Sequence, residues 1–256
     1  MAPMPSKKSA AAALPSVTLS ESAGVRHLHL DSPWIQGSMR IKAPFEIELE
    51  YVQRMMVWLL FLGPDNLPQK HAMQLGLGAA AITKFCHKKL RMRTTAVELN
   101  PEVIAVCRGW FNLPPDDRRL TVLQADAAEV AADPARLGTV DALCVDLYDH
   151  EAAGPVLDDE AFYAHCHGLL ADSGVMTVNL FGRHASFAAS SARVAAAFGR
   201  DQVWSMRPTK EGNTVLIGGR GVQVPDRETL QARAATIEDR FGLPARKWLR
   251  MVRPLE

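Results

Sequence analysis

The pattern of apolar and polar residues divides the middle of the chain into alternating strands and helices. Short apolar runs, which are typical of buried strands, occur at 72–75, 94–99, 120–125, 142–147 and 175–180. We interpret the stretch after each run as a helix, and the longest of these predicted helices is the Ala-rich one at 185–198. Strands that alternate with helices predict an α/β fold, in which helices cover both faces of a mostly parallel sheet.

The two ends of the chain follow other patterns. Residues 25–45 alternate between apolar and polar positions, which predicts short strands, and residues 46–62 have the three-to-four spacing of a helix. Near the C-terminus, 202–206 and 214–218 are predicted to pair as antiparallel strands. Residues 227–241 are predicted to form an amphipathic helix that packs outside them.

These patterns divide the chain into four parts. Residues 1–20 are of low complexity and are predicted to form a disordered tail. A small β segment with its helix follows at 21–66, and the main α/β domain is expected at 67–222. A C-terminal helix and tail, 223–256, complete the chain.

Composition and charge narrow the class of protein. The chain has 256 residues, is 48% hydrophobic and carries a net charge of +1, which gives no reason to expect binding to nucleic acids or membranes. No apolar run approaches the length of about 20 residues that spans a bilayer. The four cysteines include no CxxC pair, so we expect free thiols and a cytoplasmic protein.

A glycine-rich turn and an acidic residue follow the first two strands of the main domain. The turn is Gly76-Leu77-Gly78-Ala79-Ala80, and Glu98 ends the next strand 22 positions after Gly76. Glycines let the backbone approach a ligand closely, and an acid at this spacing can accept hydrogen bonds from ribose hydroxyls. The alternatives are an ordinary strand-to-helix turn and a solvated charge at the end of a strand.

The third strand also ends in an acid, Asp126, which is followed by Ala127. A carboxylate there can accept a hydrogen bond from the adenine amine, and we assign both residues to the adenine site. The alternative is that Asp126 caps the next helix, a position that Asp favours. Taken with the glycine turn and Glu98, it predicts an adenine nucleoside rather than a dinucleotide, because the third glycine of a dinucleotide site is absent.

The fourth strand runs into two acids three positions apart, Asp146 and Asp149, and Gly154-Pro155 follows. Such a pair can hold a cationic amine and take its proton during nucleophilic attack. A solvated acidic loop has the same composition, and spacing alone favours that alternative.

These residues resemble those of the spermidine/spermine synthase (polyamine aminopropyltransferase) family over roughly residues 25–220. The Asp-x-x-Asp segment with its downstream Gly-Pro carries the resemblance, and Glu98 and Asp126 match the family's ribose and adenine acids. The resemblance implies a Rossmann-like class I methyltransferase fold with a seven-stranded sheet. It also implies that Asp146 is the general base and Asp149 a ligand of the substrate amine, that Gln36 binds substrate, and that Tyr51 lines the site as a catalytic residue.

The implied reaction moves the aminopropyl group of decarboxylated S-adenosylmethionine to a diamine such as putrescine, without a metal. The resemblance also implies a homodimer, in which the N-terminal β segment and the helix at 46–62 form the interface. Two alternatives stay open: a small-molecule methyltransferase that uses intact S-adenosylmethionine, and a non-catalytic homologue.

Three substitutions separate this sequence from the family pattern. Ala79 occupies the place of an Asp that binds the aminopropyl ammonium, Gln53 the place of a Glu, and Thr209 or Lys210 the place of a Tyr. All three remove groups from the amine end of the site and spare the nucleoside end. We therefore expect that the acceptor differs, or that activity is weak or absent.

Overall fold

The computed structural model describes residues 14–148, 156–181 and 185–255. At the N-terminus, three antiparallel strands form a small sheet, in the order β1 (Val17–Ser22), β2 (Val25–Leu30) and β3 (Gly37–Arg40). Residues 17–20, which the sequence analysis placed in a disordered tail, are therefore part of β1. They pair in register with the far end of β2, where Val17 lies opposite Leu30.

The main sheet contains eight strands within the described residues, one more than the sequence predicted. They are β4 (His71–Leu75), β5 (Arg93–Glu98), β6 (Leu120–Gln124), β7 (Val140–Val145), β8 (Leu170–Phe181), β9 (Val203–Met206), β10 (Asn213–Gly219) and β11 (Val252–Pro254). Their order is β11-β9-β10-β8-β7-β4-β5-β6. The additional strand, β11, comes from the predicted C-terminal tail and pairs with β9 at the edge of the sheet.

Nine α-helices accompany these strands in the described part of the chain. They are α1 (Glu50–Met55), α2 (Trp58–Leu62), α3 (Ala81–Lys84), α4 (Pro101–Trp110), α5 (Ala127–Ala131), α6 (Glu160–Leu169), α7 (Ala185–Phe198), α8 (Arg227–Phe241) and α9 (Ala245–Trp248). A π-helical turn, Phe85–Lys89, continues α3, and 3₁₀ turns occupy Leu67–Gln69, Pro134–Arg136 and Arg200–Gln202. None of these helices has the length and apolar character needed to cross a bilayer.

The single helix predicted at 46–62 is instead two short helices, α1 and α2, and both are buried. Met55, Met56, Trp58 and Leu59 have no exposed surface, because α1 and α2 pack in the core on one face of the main sheet with α8 and α9. These buried Met and Trp side chains are therefore not available for the dimer interface that was expected of this segment. Its apolar residues are used inside the chain.

The chain order of the strands reverses at β4. The strands β5 and β6 extend the sheet in parallel on one side of β4, whereas β7 and β8 extend it on the other side. Loops that leave neighbouring strands in opposite directions open a crevice at their carboxyl ends, which is where such sheets bind ligands. The glycine turn follows β4 and Asp146 follows β7, so both lie at this crevice.

Candidate active site

The glycine-rich turn after β4 packs closely against the main chain at the end of β7. Gly76 and Gly78 have φ angles of +85° and +50°, in the left-handed region that favours glycine. A Cβ atom on Gly76 would lie 2.1 Å from the main-chain oxygen of Asp146, so a larger residue does not fit. The loop thus packs against the end of β7, and the tight glycine turn predicted from the sequence is present.

The side chain of Gln74 holds this loop in place, although the sequence analysis did not single it out. Its amide nitrogen donates to the carbonyl oxygens of Gly76, at 2.6 Å, and Leu77, at 3.2 Å. Its amide oxygen accepts from the main-chain N–H and the hydroxyl of Thr83 on α3. A buried polar residue in an otherwise apolar strand was the available signal, because a buried amide must find partners.

Glu98 ends β5 and is bonded to the main chain on both sides. One carboxylate oxygen accepts from the Leu77 N–H and the other from the Asn100 N–H, each at 2.9 Å. Burial raises the pKa of Glu98, and these two hydrogen bonds oppose the rise. A carboxylate offers about four acceptor positions, so the two remaining positions suit the two hydroxyls of a ribose.

Asp126 caps helix α5, as the structural alternative in the sequence analysis stated. Its carboxylate accepts from the Ala128 N–H at 2.7 Å, and Ala127 begins the helix as a buried residue. The Ala125 N–H donates to the Glu98 carbonyl at 3.1 Å, which keeps the two strand ends side by side. The carboxylate of Asp126 is exposed and retains acceptor positions, so its role at an adenine remains a prediction.

Asp146 lies at the centre of a side-chain network. Its Oδ2 accepts a hydrogen bond from the Tyr51 hydroxyl at 3.2 Å, and its Oδ1 accepts one from the Asn179 amide at 2.9 Å. Burial raises the pKa of Asp146 to about 6, although both hydrogen bonds oppose the rise. A carboxyl group with a pKa near neutrality is suited to accept and release protons.

Tyr51 reaches this carboxylate from the first turn of α1. Burial, followed by the charge of Asp146, raises the pKa of Tyr51 well above its usual value. The phenol is therefore protonated at neutral pH and acts as a hydrogen-bond donor. The Tyr51 hydroxyl binds one oxygen of the Asp146 carboxylate, and the Asn179 amide binds the other.

A small pocket brings several of the predicted residues together. It has about 300 Å³ of empty space and lies between the N-terminal sheet, α1, the glycine loop and the end of β7. Four predicted site residues line it: Gln36, Tyr51, Gly78 and Asp146. Leu77 also lines this pocket, and its N–H binds Glu98, so the ribose acid borders the same space.

A second cavity adjoins the pocket on the far side of Tyr51. It has about 730 Å³ of empty space that opens to solvent, and it shares with the pocket the residues Ser38, Leu49 and Tyr51. Three acidic side chains also line it, Glu48, Glu50 and Glu211. Glu48 forms an ion pair with Arg40, and Glu50 forms one with Arg54. The acidic lining favours a cationic ligand over an anionic one.

The structure also places the residues that depart from the family pattern. Ala79 is buried against Gly37, whose Cβ, if present, would lie 2.4 Å from the Ala79 main-chain nitrogen. The amide of Gln53 donates to the Ile47 carbonyl at 2.7 Å, a bond that a glutamate at this position could not donate when ionised. Thr209 is buried in the turn between β9 and β10.

Of the predicted site residues, Asp149 lies outside the described residues, as does the Gly154-Pro155 pair that follows it.

Asn179 and Asn213 were missed by the sequence analysis and belong to the network around Asp146. The Asn213 amide donates to the Asn179 side-chain oxygen at 3.1 Å. Each is a polar residue in an apolar strand, and this was the available signal.

The fold is that of the class I methyltransferases. Human methyltransferase-like protein 13, solved in complex with SAH, matches with a TM-score of 0.65 and 22% identity, over 82% of this chain and 96% of that chain. A probable spermidine synthase from Corynebacterium glutamicum matches with a TM-score of 0.72 and 21% identity, over 89% of this chain and 85% of that chain.

Sequence comparison identifies the family within this class. The polyamine aminopropyltransferase of Chromobacterium violaceum is 32% identical over 233 residues, which cover 90% of this chain and 87% of that protein. This chain therefore belongs to the polyamine aminopropyltransferase family, and the resemblance stated from its motifs is confirmed. No protein-family profile matches the sequence.

Proposed function

We propose that this protein is an aminopropyltransferase that moves the aminopropyl group of decarboxylated S-adenosylmethionine to an amine such as putrescine. The supporting observation is the Asp146 carboxylate, which faces a pocket beside the glycine loop and has a pKa of about 6. Family membership agrees with this reaction. The nucleoside end supports it as well, since Glu98 keeps two acceptor positions beside the loop.

The cofactor is held by main chain and carboxylates in this proposal. Gly76 and Gly78 let the backbone approach it, and Glu98 accepts hydrogen bonds from the ribose hydroxyls. Asp126 accepts from the adenine amine, while Ala127 lies against the base. This arrangement places the sulfonium end of the ligand toward Asp146, since the glycine loop touches the end of β7.

The chemical step requires a neutral amine nitrogen. This nitrogen attacks the propyl carbon bound to the sulfonium, the carbon–sulfur bond breaks, and its electron pair neutralises the sulfur in departing methylthioadenosine. The proton released by the amine passes to the Asp146 carboxylate, whose other oxygen stays bonded to Asn179. Tyr51 orients the carboxylate as a donor, and positioning of the two reactants supplies much of the acceleration.

The acceptor is proposed to enter through the acidic second cavity. That cavity meets the reaction pocket at Tyr51, and its carboxylates attract a polycation. Gln36 at the pocket wall is proposed to contact the substrate. We retain Asp149 as a further substrate ligand on the strength of its match to the family motif.

Two further properties complete the proposal. We propose a cytoplasmic protein, in line with four cysteines that are buried and free. We propose a homodimer formed through the N-terminal sheet and its β2–β3 loop, in which Trp34 and Ile35 expose about half of their surface. Light scattering at micromolar concentration tests this assembly. A mass of two chains supports the homodimer, and a mass of one chain contradicts it.

A small-molecule methyltransferase remains the second candidate because of Ala79. Its contact with Gly37 leaves no acid at the place where the family binds the aminopropyl ammonium. Calorimetry with intact and decarboxylated S-adenosylmethionine separates the two functions. Tighter binding of the decarboxylated form supports aminopropyl transfer, and tighter binding of the intact form supports methylation.

The direct test is release of methylthioadenosine from decarboxylated S-adenosylmethionine with a panel of diamines and triamines. We expect turnover, and Asp146→Asn should lower it by about 100-fold or more, the usual contribution of a general base. Asp172→Asn, which alters an exposed carboxyl group on β8, is the matched control and should leave turnover unchanged. Absence of product with every acceptor would exclude the proposed reaction.

A further inference from the structure

Two successive hydrogen bonds lead to Asp146, and in both of them the donor lies on the side away from the carboxylate. The Asn213 amide nitrogen donates to the Asn179 side-chain oxygen at 3.1 Å, and the Asn179 nitrogen donates to Asp146 at 2.9 Å. An amide group has one donor end and one acceptor end. Because Asn213 presents a donor, the oxygen of Asn179 must face Asn213, and its N–H groups must face the carboxylate.

Each of the two asparagines is held in place by its surroundings. Asn179 is 3% exposed, and its main-chain carbonyl accepts from the Tyr148 hydroxyl at 2.8 Å. The main chain of Asn213 exchanges hydrogen bonds with Thr209, whose N–H donates to the Asn213 main-chain carbonyl and whose hydroxyl accepts from the Asn213 main-chain N–H. These bonds fix the main chain at both residues, and the hydrogen bonds between the side chains set the direction of the two amides.

We infer that Asn179 and Asn213 are positioning residues that keep Asp146 ionised and correctly oriented for proton transfer. A fixed N–H donor favours a carboxylate over a carboxylic acid, since only the ionised form is acceptor alone on both oxygens. Burial of Asp146 has the opposite effect, because it favours the uncharged carboxylic acid. This inference rests on the proposed function insofar as it assigns the proton-accepting role to Asp146.

The Tyr51 hydroxyl donates a second hydrogen bond that acts in the same direction, and the other described groups around Asp146 do not supply this effect. Tyr51 from α1, Cys144 on β7 and Tyr148 beside the carboxylate all have a raised pKa, so they are uncharged near neutral pH. The glycine loop contributes Leu77 and Gly78 to the pocket, and neither is titratable. In the adjoining cavity lie Glu48, Glu50 and Glu211, two of them paired with Arg40 and Arg54. Asp149, His150 and Glu151 lie outside the described residues.

The decisive experiment is the pH profile of kcat/KM for the wild type, Asn179→Leu and Asn213→Ala. We expect the acid limb to move up by about one pH unit in Asn179→Leu, the scale of one hydrogen bond to a charged group. The shift should be smaller and in the same direction in Asn213→Ala, because the amide of Asn179 can then rotate. At high pH, where Asp146 is ionised in every variant, the difference between the rates should be smallest, and what remains measures the loss of orientation.

Thr177→Val is the matched control on the same strand. Thr177 is fully buried two positions before Asn179, and its hydroxyl donates to the Met55 carbonyl at 2.9 Å. It therefore tests the loss of a buried hydrogen bond without contact to Asp146. This variant should change the rate equally at every pH, if at all, and its acid limb should match that of the wild type.

A result in which Asn179→Leu and Asn213→Ala keep the wild-type acid limb would overturn the inference. If Asn179→Leu fails to fold, the partly exposed Asn213 carries the test alone. A wild type without turnover would contradict the proposed function instead. The inference is then decided by the ¹³C chemical shift of the Asp146 carboxyl carbon, and Asp146→Asn identifies that signal. The midpoint of its titration with pH should rise in Asn179→Leu and Asn213→Ala. It should stay unchanged in Thr177→Val.

Discussion

The two ends of the candidate site are built in different ways. At the nucleoside end, Glu98 ends β5 and Asp126 lies two positions after β6, and both bind main-chain N–H groups. At the amine end, Asp146 is held by side chains of Tyr51 and Asn179, which come from α1 and β8, 95 and 33 positions away in the chain. The first end depends on local geometry, whereas the second depends on packing between distant segments.

The residues expected to depart from the family pattern all belong to the amine end. The main-chain partners at the nucleoside end depend on the strand order, whereas the groups at the amine end are placed one by one. Ala79, Gln53 and Thr209 each take part in packing or hydrogen bonding within the chain, and they supply neither an acid nor an aromatic ring.

The largest effect is expected where β3 packs against the glycine loop. Gly37→Ala places a Cβ 2.4 Å from the Ala79 main-chain nitrogen, and main chain cannot move aside as a flexible side chain can. We expect the free energy of unfolding to fall by about 3 kcal/mol, at the upper end of the usual cost of overpacking. Urea denaturation measures it.

Gly109→Ala is the control for Gly37→Ala. A Cβ on Gly109, within helix α4, meets no atom within 4 Å, and alanine there should raise stability by about 0.5–1 kcal/mol. If both variants changed stability by the same amount, the contact between β3 and the glycine loop would not be the tight one described.

A second effect sharpens the description of the amine end. Since folding raises the pKa of Asp146 to about 6, the folded state holds its proton over a range where the unfolded chain has lost it. The stabilising contribution is full below about pH 4 and is lost as the pH rises through 6. Asp146→Asn has no such proton, so it should gain up to about 3 kcal/mol over the wild type between pH 4 and pH 8.

Unfolding free energies at both pH values check this expectation. Asp172→Asn serves as the reference, because its carboxyl is exposed at the start of β8. A gain for Asp146→Asn that does not change with pH would show that the network, rather than ionisation, sets the stability difference.

The smallest effect concerns the nucleoside end. Glu98→Gln keeps one acceptor oxygen and loses the charge, so the affinity for methylthioadenosine should fall by about tenfold, or ~1.4 kcal/mol. Calorimetry measures the affinity, and Glu129→Gln on the exposed side of α5 is the control. Equal affinities for Glu98→Gln and the wild type would remove Glu98 from the ribose site.

Much of the fold was predictable from local pattern. The strands at β4 to β6 and the helices α7 and α8 lie within two residues of the predicted bounds, because buried strands form short apolar runs and surface helices repeat their apolar residues at helical spacing. Helices α1 and α2 were predicted as one, since their shared apolar spacing does not reveal the turn at 56–57. The edge strand β11 was missed because three residues carry too little pattern.

Some residues of the candidate site could likewise be predicted from local pattern, and others could not. Gly76, Glu98 and Asp126 were identifiable because each lies at the carboxyl end of a strand, and parallel strands end at one edge of a sheet. Asn179 and Asn213 were not, because a single polar residue in a strand indicates burial with a partner but does not identify the partner.

By itself, the sequence determined the alternation of strands and helices, the glycine turn and the acids that end successive strands. These are local properties, set by side-chain period and by backbone conformations that few residues adopt. Only the tertiary structure decided that Tyr51, Asn179 and Asn213 form one network with Asp146, and that Gly37 packs against Ala79. Such contacts join segments far apart in the chain, and their distances depend on how the whole sheet and its helices pack.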